Sequence, residues 1–319
     1  MQSLKLTWVL AHEPYEVFHK AARQFAQEVS TETNGHITID VLDLPDYNAV
    51  AGTNLSSRVR GDRQHVIDSV DSGLMDMATV YINNLADINK DLHAWGLPYL
   101  FQDAEHAQRA LDGKIGRAML DGVAARSNVR PLEYTFSGGF RTMPSNVAIE
   151  KVSDFKHLKV RCTNNPVSID LFSMLDAKPV NIPTEDFSNA LLSGEVDSGE
   201  ATYPRFFLLG YDKASKFINH TEHNLFLTSI VINQIVWNSF DQVTKDIFTC
   251  AARNAALQER AESLASVDQV QRDAAKLGIP TVKMNDTEKS KLVNAFGGLY
   301  DKYETIFSPG VVSGLRSVA

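Results

Sequence analysis

His220-Thr221-Glu222-His223 crowds two imidazoles and a carboxylate into four residues, the types that hold zinc or move protons. Histidines three apart can share a helix face. The flanking residues read instead as a loop leading into a strand, so metal binding is the minor reading and solvated loop residues the main one. Asp40, Asp43 and Asp46 gather beside Pro45 and could attract a cation, although a solvated acidic loop is the plainer account. Cys162 and Cys250 are too few for a disulfide framework, and no CxxC or Cys–His spacing suggests zinc. Two buried free thiols are the expectation. No GxxxxGK[ST], GxGxxG or GxSxG run occurs, so neither a phosphate cradle nor a nucleophile elbow is indicated.

The remaining polar candidates are placed by topology. His12 and Glu13, with Tyr15, follow the first expected strand at its carboxyl end. Tyr81, Tyr203, Phe140 and Trp237 fall near strand ends, where they either wall a pocket or pack a core. Asn83 and Asn233 could supply amide hydrogen bonds.

These residues need a scaffold. The chain has 319 residues, enough for about two domains, and a hydrophobic share of 44% with 22% charged residues is that of a globular protein. A net charge of −8 carries no basic nucleic-acid footprint. The most apolar stretch, Leu225 to Trp237, is broken by Thr228, Ser229, Asn233 and Gln234 and falls short of a bilayer span, so no stable membrane insertion is expected. No signal peptide opens the chain, which is read as either cytosolic or starting at a processed terminus with an added Met.

Leu4 to Leu10 reads as a strand, and Tyr15 to Thr33 as a helix with apolar residues at helical spacing and an Asn34-Gly35 stop. Alternating Ile37, Ile39 and Val41 predict a strand, a helix follows over Arg63 to Asp71, and a strand over Met75 to Tyr81. Helices over Glu105 to Leu111 and Ile115 to Arg126 precede a strand from Val129 to Phe136. Ser137-Gly138-Gly139 then breaks the pattern and marks a domain crossing. A second unit alternates strand Leu158–Cys162, a helix opened by Asn165-Pro166, strand Pro179–Ile182, a helix capped by Thr184, and strand Glu195–Gly199. Leu225 to Asn233 reads as a strand returning to the first domain. From Ser239 to Leu277 one long helix, or two abutting ones, is predicted, with further helix over Thr287 to Phe307. Strand–helix alternation of this kind gives an α/β fold. The division expected is 1–138 plus 225–319 for the first lobe and 139–224 for the second.

Three runs resemble one family. They are Trp95-Gly96-Leu97-Pro98-Tyr99-Leu100-Phe101 with Asp103-Ala104-Glu105-His106-Ala107, then Leu158-Lys159-Val160-Arg161-Cys162 with Asn165-Pro166, and then Ala190 to Glu200 (ALLSGEVDSGE). In this order they are similar to the solute-binding proteins of tripartite ATP-independent periplasmic (TRAP) transporters, the DctP-like group. The resemblance spans nearly the whole chain. It implies a two-lobed periplasmic-binding-protein-like fold with mixed sheets, a hinge, and a long helix spanning both lobes. It also implies a periplasmic location after signal removal, capture of a small organic acid, delivery to the membrane permease subunits, and no catalysis. The implied ligand is a mono- or dicarboxylate, with 2-oxo acids such as pyruvate and 2-hydroxy acids both admitted.

The family's carboxylate-binding arginine falls on Arg161, and Arg141 sits where a second arginine often helps. Glu200 would orient Arg161, accept a ligand hydroxyl, or hold a cation (calcium or sodium) beside the ligand acid, as in some relatives that bind 2-oxo acids. No cofactor is otherwise required. Two departures stand out: Ala201 replaces the Asn that often follows the Glu, and the loop over Tyr47 to Asp62 is longer than usual. Other readings stay open. Either arginine could be locked in an internal ion pair, and Glu200 could be structural. The whole could also be an α/β enzyme acting on a carboxylated metabolite, or a ligand-sensing domain.

Overall fold

A computed structural model describes residues 3–11, 16–55, 65–162 and 165–318. His12 and Glu13 lie outside the described residues, as does part of the 47–62 loop. Among the described residues, the strands in chain order are β1 (Leu4–Leu10), β2 (Ile37–Asp43), β3 (Met77–Tyr81), β4 (Val129–Ser145), β5 (Lys159–Cys162), β6 (Lys178–Asn181), β7 (Ser198–Gly199), β8 (Ala201–Thr202), β9 (Phe217–Asn219), β10 (Leu225–Asn233) and β11 (Thr281–Val282). Helices alternate with most of them, giving a mixed α/β architecture.

Two compact units emerge. The first holds Met1–Leu92, Gly116–Phe136 and Leu227–Glu262, the second His93–Ile115, Ser137–Phe226 and Ser263–Ala319. The sequence pattern places 93–115 and 263–319 with the first lobe, whereas packing places them in the second unit. The reasons are contacts between segments far apart in sequence. Tyr99 N donates to His223 O at 2.6 Å, Tyr300 Oη donates to Pro98 O at 2.8 Å, and Ala274 is buried in one core with Phe206 and Tyr211.

In the first unit the strand order is β2-β1-β3-β10-β4. β1 runs parallel to β2 and β3, but β10 is antiparallel to β3, with Thr228 opposite Tyr81 and Ile232 opposite Met77. The helix Glu16–Glu32 buries Phe18, Ala21, Ala22, Phe25 and Val29, one face at 3.6-residue spacing, and Phe25 meets Trp8 of β1 edge-on at 5.0 Å. Full burial of such a ring is worth about 1.5–3 kcal/mol. Asn34 and Gly35, both at positive φ, end the helix as the sequence predicts.

In the second unit β5 lies between β6 and β7, parallel to both, and β7 is antiparallel to the far half of β4. Asn165 caps the helix Pro166–Met174 by accepting from Val167 N at 2.9 Å, with Pro166 in its first turn. The expected break at Ser137-Gly138-Gly139 is not a break in the strand. β4 runs through both glycines, each at positive φ, and the change of unit falls between Phe136 and Ser137. The long helical stretch is two abutting helices, Gln242–Ala265 and Val267–Lys276. All but the last turn of the former belongs to the first unit. Cys162 is buried, but Cys250 is exposed on that helix, against expectation. No helix among the described residues is long and apolar enough to cross a membrane.

Candidate ligand-binding site

The carboxyl ends of β5, β6 and β7 meet in the second unit, the edge where open α/β sheets bind ligands. Arg161, the third residue of β5, is only 4% exposed. Its Nε donates to Ile182 O at 2.8 Å, Nη2 to Thr184 Oγ1 at 2.9 Å, and Nη1 to Glu200 O at 3.4 Å. These acceptors are a hydroxyl and two carbonyls. They aim the guanidinium without neutralising it, and among the described residues no carboxylate lies within ion-pair distance of it. Thr184, expected as a helix cap, spends its hydroxyl on Arg161, while the helix starts later, at Phe187. Gly199 explains how the strands close up. A Cβ there would lie 2.5 Å from the Phe187 ring and 2.9 Å from Arg161 Cβ.

Glu200 sits at the kink between β7 and β8, essentially inaccessible. Its Oε1 accepts from His223 Nε2 at 3.1 Å and faces Arg141 Nε at 3.8 Å. Burial opposes ionisation, but Arg141, His223 and Arg161 together outweigh it and hold the carboxyl down at about 2. Arg141, on β4 opposite Thr202, is 5% exposed and lies over the Phe226 ring at 4.0 Å. The structure therefore brings Arg161, Arg141 and Glu200 together.

Two residues escaped the sequence reading as participants. His223, expected as a solvated loop residue, is buried and fixes Glu200. Its Nδ1 lies 2.8 Å from Thr221 Oγ1, and its carbonyl anchors Tyr99, which is held at φ 55°. Arg205 is 2% exposed, donates to Ser137 O at 2.6 Å and Ser137 Oγ at 2.7 Å, and lies 5.1 Å from the Phe226 ring. Its only sequence signal was its place five residues after Glu200.

Each of the other predicted residues has its own setting within its unit. Tyr203 is buried in the second unit's core, with Oη 2.7 Å from His220 Nδ1, and burial, above all, pushes its phenol up to about 12. Tyr81 closes β3 at the carboxyl end of the first unit's sheet, half-buried. Asn233 and Trp237 lie at the opposite end of that sheet because β10 runs antiparallel to β3. Asn233 caps the helix Gln234–Ser239, accepting from Ile235 N and Val236 N and donating to Val70 O at 2.6 Å. Trp237 packs against the first unit's core with Arg130 5.2 Å from its ring.

A cation at Glu200 does not fit these surroundings. Calcium wants six or more oxygens. Here one carboxylate faces an imidazole and the guanidinium of Arg141, and no cluster of three or more His, Cys, Asp or Glu among the described residues could hold a metal. His220 and His223 do not converge either. His220 Nε2 pairs with Glu222 at 3.1 Å, His223 with Glu200.

Residues 10–306 match the DctP model, bacterial extracellular solute-binding protein family 7. The 2,3-diketo-L-gulonate-binding periplasmic protein YiaO of Escherichia coli K12 is 25% identical over 245 residues, 76% of this chain and 70% of its own. Among solved structures, a TRAP periplasmic solute-binding protein of Ralstonia eutropha H16 with bound (S)-2-acetolactate superposes with TM-score 0.84 at 22% identity, covering 98% of each chain. The sugar acid binding protein DctPAm of Advenella mimigardefordensis in complex with galactonate superposes at 0.85 with 19% identity, over 100% of this chain and 98% of its own. The chain shares their fold. It belongs to the DctP family of bacterial extracellular solute-binding proteins, and is a solute-binding protein, not an enzyme.

Proposed function

We propose that this protein captures a small organic acid in the periplasm through Arg161 and delivers it to a TRAP membrane permease. The observation that carries the reading is a buried guanidinium held by Ile182 O, Thr184 Oγ1 and Glu200 O, with no internal carboxylate at ion-pair distance among the described residues. The Glu200 carboxylate acts on it only from beyond ion-pair distance, and a buried cation without a directly bonded counter-charge is costly. A ligand carboxylate supplies that charge and matches the planar fork of donors. Arg141, already beside Glu200, shapes the field around the anion and is the second contact. Acids bound by relatives, acetolactate and galactonate, and the diketogulonate of YiaO's name, support the same chemistry.

The test is calorimetry and thermal shift with two- to six-carbon acids and sugar acids on the wild type, Arg161→Lys and Arg161→Ala. At least one acid should bind the wild type. Arg161→Ala should weaken that acid by about 2–5 kcal/mol, roughly 25- to 4000-fold, with Lys in between. Wild-type affinity in a folded Arg161→Ala protein overturns the reading. Since Arg161 also ties Ile182 to β5, Thr184→Val is the milder variant. It leaves the charge in place but loosens its aim, and should weaken the same acid by about tenfold, the worth of one hydrogen bond to a charged group.

A further inference from the structure

We propose that Oε2 of Glu200 accepts a hydrogen bond from the hydroxyl on the carbon beside the ligand's carboxylate, so that this protein selects 2-hydroxy acids over 2-oxo acids. The proposal rests on the reading of Arg161 as the carboxylate anchor and narrows it.

The two oxygens of Glu200 are not equivalent. Oε1 takes the His223 hydrogen bond and faces Arg141, whereas Oε2 is buried with no hydrogen-bond partner among the described residues. A buried, unsatisfied carboxylate oxygen is expensive, and protonation does not relieve it here, because the surrounding cations keep the group ionised. The oxygen is therefore an acceptor waiting for a donor that the protein does not provide. Glu200 also accepts from Arg161 Nη1 with its main-chain carbonyl at 3.4 Å, and the Arg161 charge acts on its carboxylate, so anchor and acceptor belong to one neighbourhood.

An ionised carboxylate can only accept. A ligand hydroxyl donates to it in a charge-assisted bond. A ligand ketone offers lone pairs against lone pairs and leaves Oε2 unsatisfied. Sites built around a substrate hydroxyl discriminate strongly against analogues that lack it. Asn224 repeats the pattern. Its Oδ1 is a second buried acceptor without a partner, while its carbonyl receives the Arg141 amide at 2.8 Å and its Nδ2 donates to Gly96 O at 3.4 Å.

The experiment compares matched pairs by calorimetry on the intact protein: lactate with pyruvate, glycerate with hydroxypyruvate, gluconate with 2-ketogluconate. Each hydroxy acid is used as separate enantiomers, in sodium-free buffer with EDTA, and again with added calcium or sodium. Propionate and succinate serve as acids without a 2-substituent. The expected result is that, in the tightest pair, one enantiomer of the hydroxy acid binds at least tenfold more tightly than its oxo partner. In Glu200→Gln, whose amide can donate, that preference should shrink or invert. An oxo acid that binds as tightly as its hydroxy partner, with or without added cation, overturns the proposal. So does an unsubstituted acid that binds best, or a folded Glu200→Gln protein that keeps the wild-type preference. In each of these cases the carboxylate reading survives. If no acid of any kind binds, that reading falls and this one with it.

Discussion

Glu200 is the residue on which this site turns, because its charge is kept by its neighbours against the pull of burial. The usual carboxyl value is 4.5, and Arg141, His223 and Arg161 hold it at about 2. A carboxyl whose native value is depressed stabilises the fold fully above the unfolded value. That contribution is lost as pH falls through the native value. Wild-type stability should therefore decline between about pH 4.5 and pH 2 by up to about 3 kcal/mol from this group alone. In Glu200→Gln that acid-sensitive part should be missing, so the difference in stability between the two proteins narrows as pH falls. Denaturant melts at pH 6, 4 and 3 measure it, and a gap that stays constant across that range would count against the assignment. His223 shows why such a group stays hidden in a sequence. The run His220 to His223 is conspicuous, but a residue's partner 23 positions away is a tertiary fact, and local spacing does not encode it.

At the scale of elements, what was legible was whatever a local rule determines. Asn165-Pro166 predicts a capped helix start and the structure has one, with Oδ1 on Val167 N. Asn165→Ala should cost about 1 kcal/mol, visible as a lowered melting temperature. Gly199 belongs to the same edge but answers to a different constraint, the close approach of β7 to Arg161 and Phe187. A methyl group there has nowhere to go unless the ring or β5 moves. Gly199→Ala should destabilise the protein by about 1–3 kcal/mol and weaken acid binding as well, because the displaced strand carries the arginine. Unchanged melting and affinity would refute that packing argument. Strand direction was not legible. Hydrophobic alternation marks Leu225 to Asn233 as a strand whichever way it runs, and its antiparallel pairing with β3 carries Asn233 and Trp237 to the far end of the first unit's sheet. Likewise, the glycine pair at 138–139 signals unusual backbone angles. It does not say whether a strand stops or, as here, continues through them.

For the whole molecule, the order of strands and helices gave the α/β class and a two-part chain, while the membership of each part depended on contacts far apart in sequence. Tyr300 against Pro98 and Ala274 among Phe206 and Tyr211 draw the C-terminal helices into the second unit, and no periodicity announces that. The interleaving has a thermodynamic consequence. Each unit is assembled from three segments, and β4 and the helix Gln242–Ala265 each contribute to both. Melting one unit removes the ordered ends on which the other's β4 half and helix turn depend. Folding should therefore be a single cooperative transition, even though chains of this length often unfold in steps. Trp8 and Trp237 report on the first unit and Trp95 on the second, so tryptophan emission and far-ultraviolet dichroism together sample both. The expected outcome is coincident melting curves that move together when an acid is added. At 100 times its dissociation constant the gain is about 2.7 kcal/mol. Two separated transitions, with only the later one moved by ligand, would show instead that the units fold independently despite the shared strand and helix.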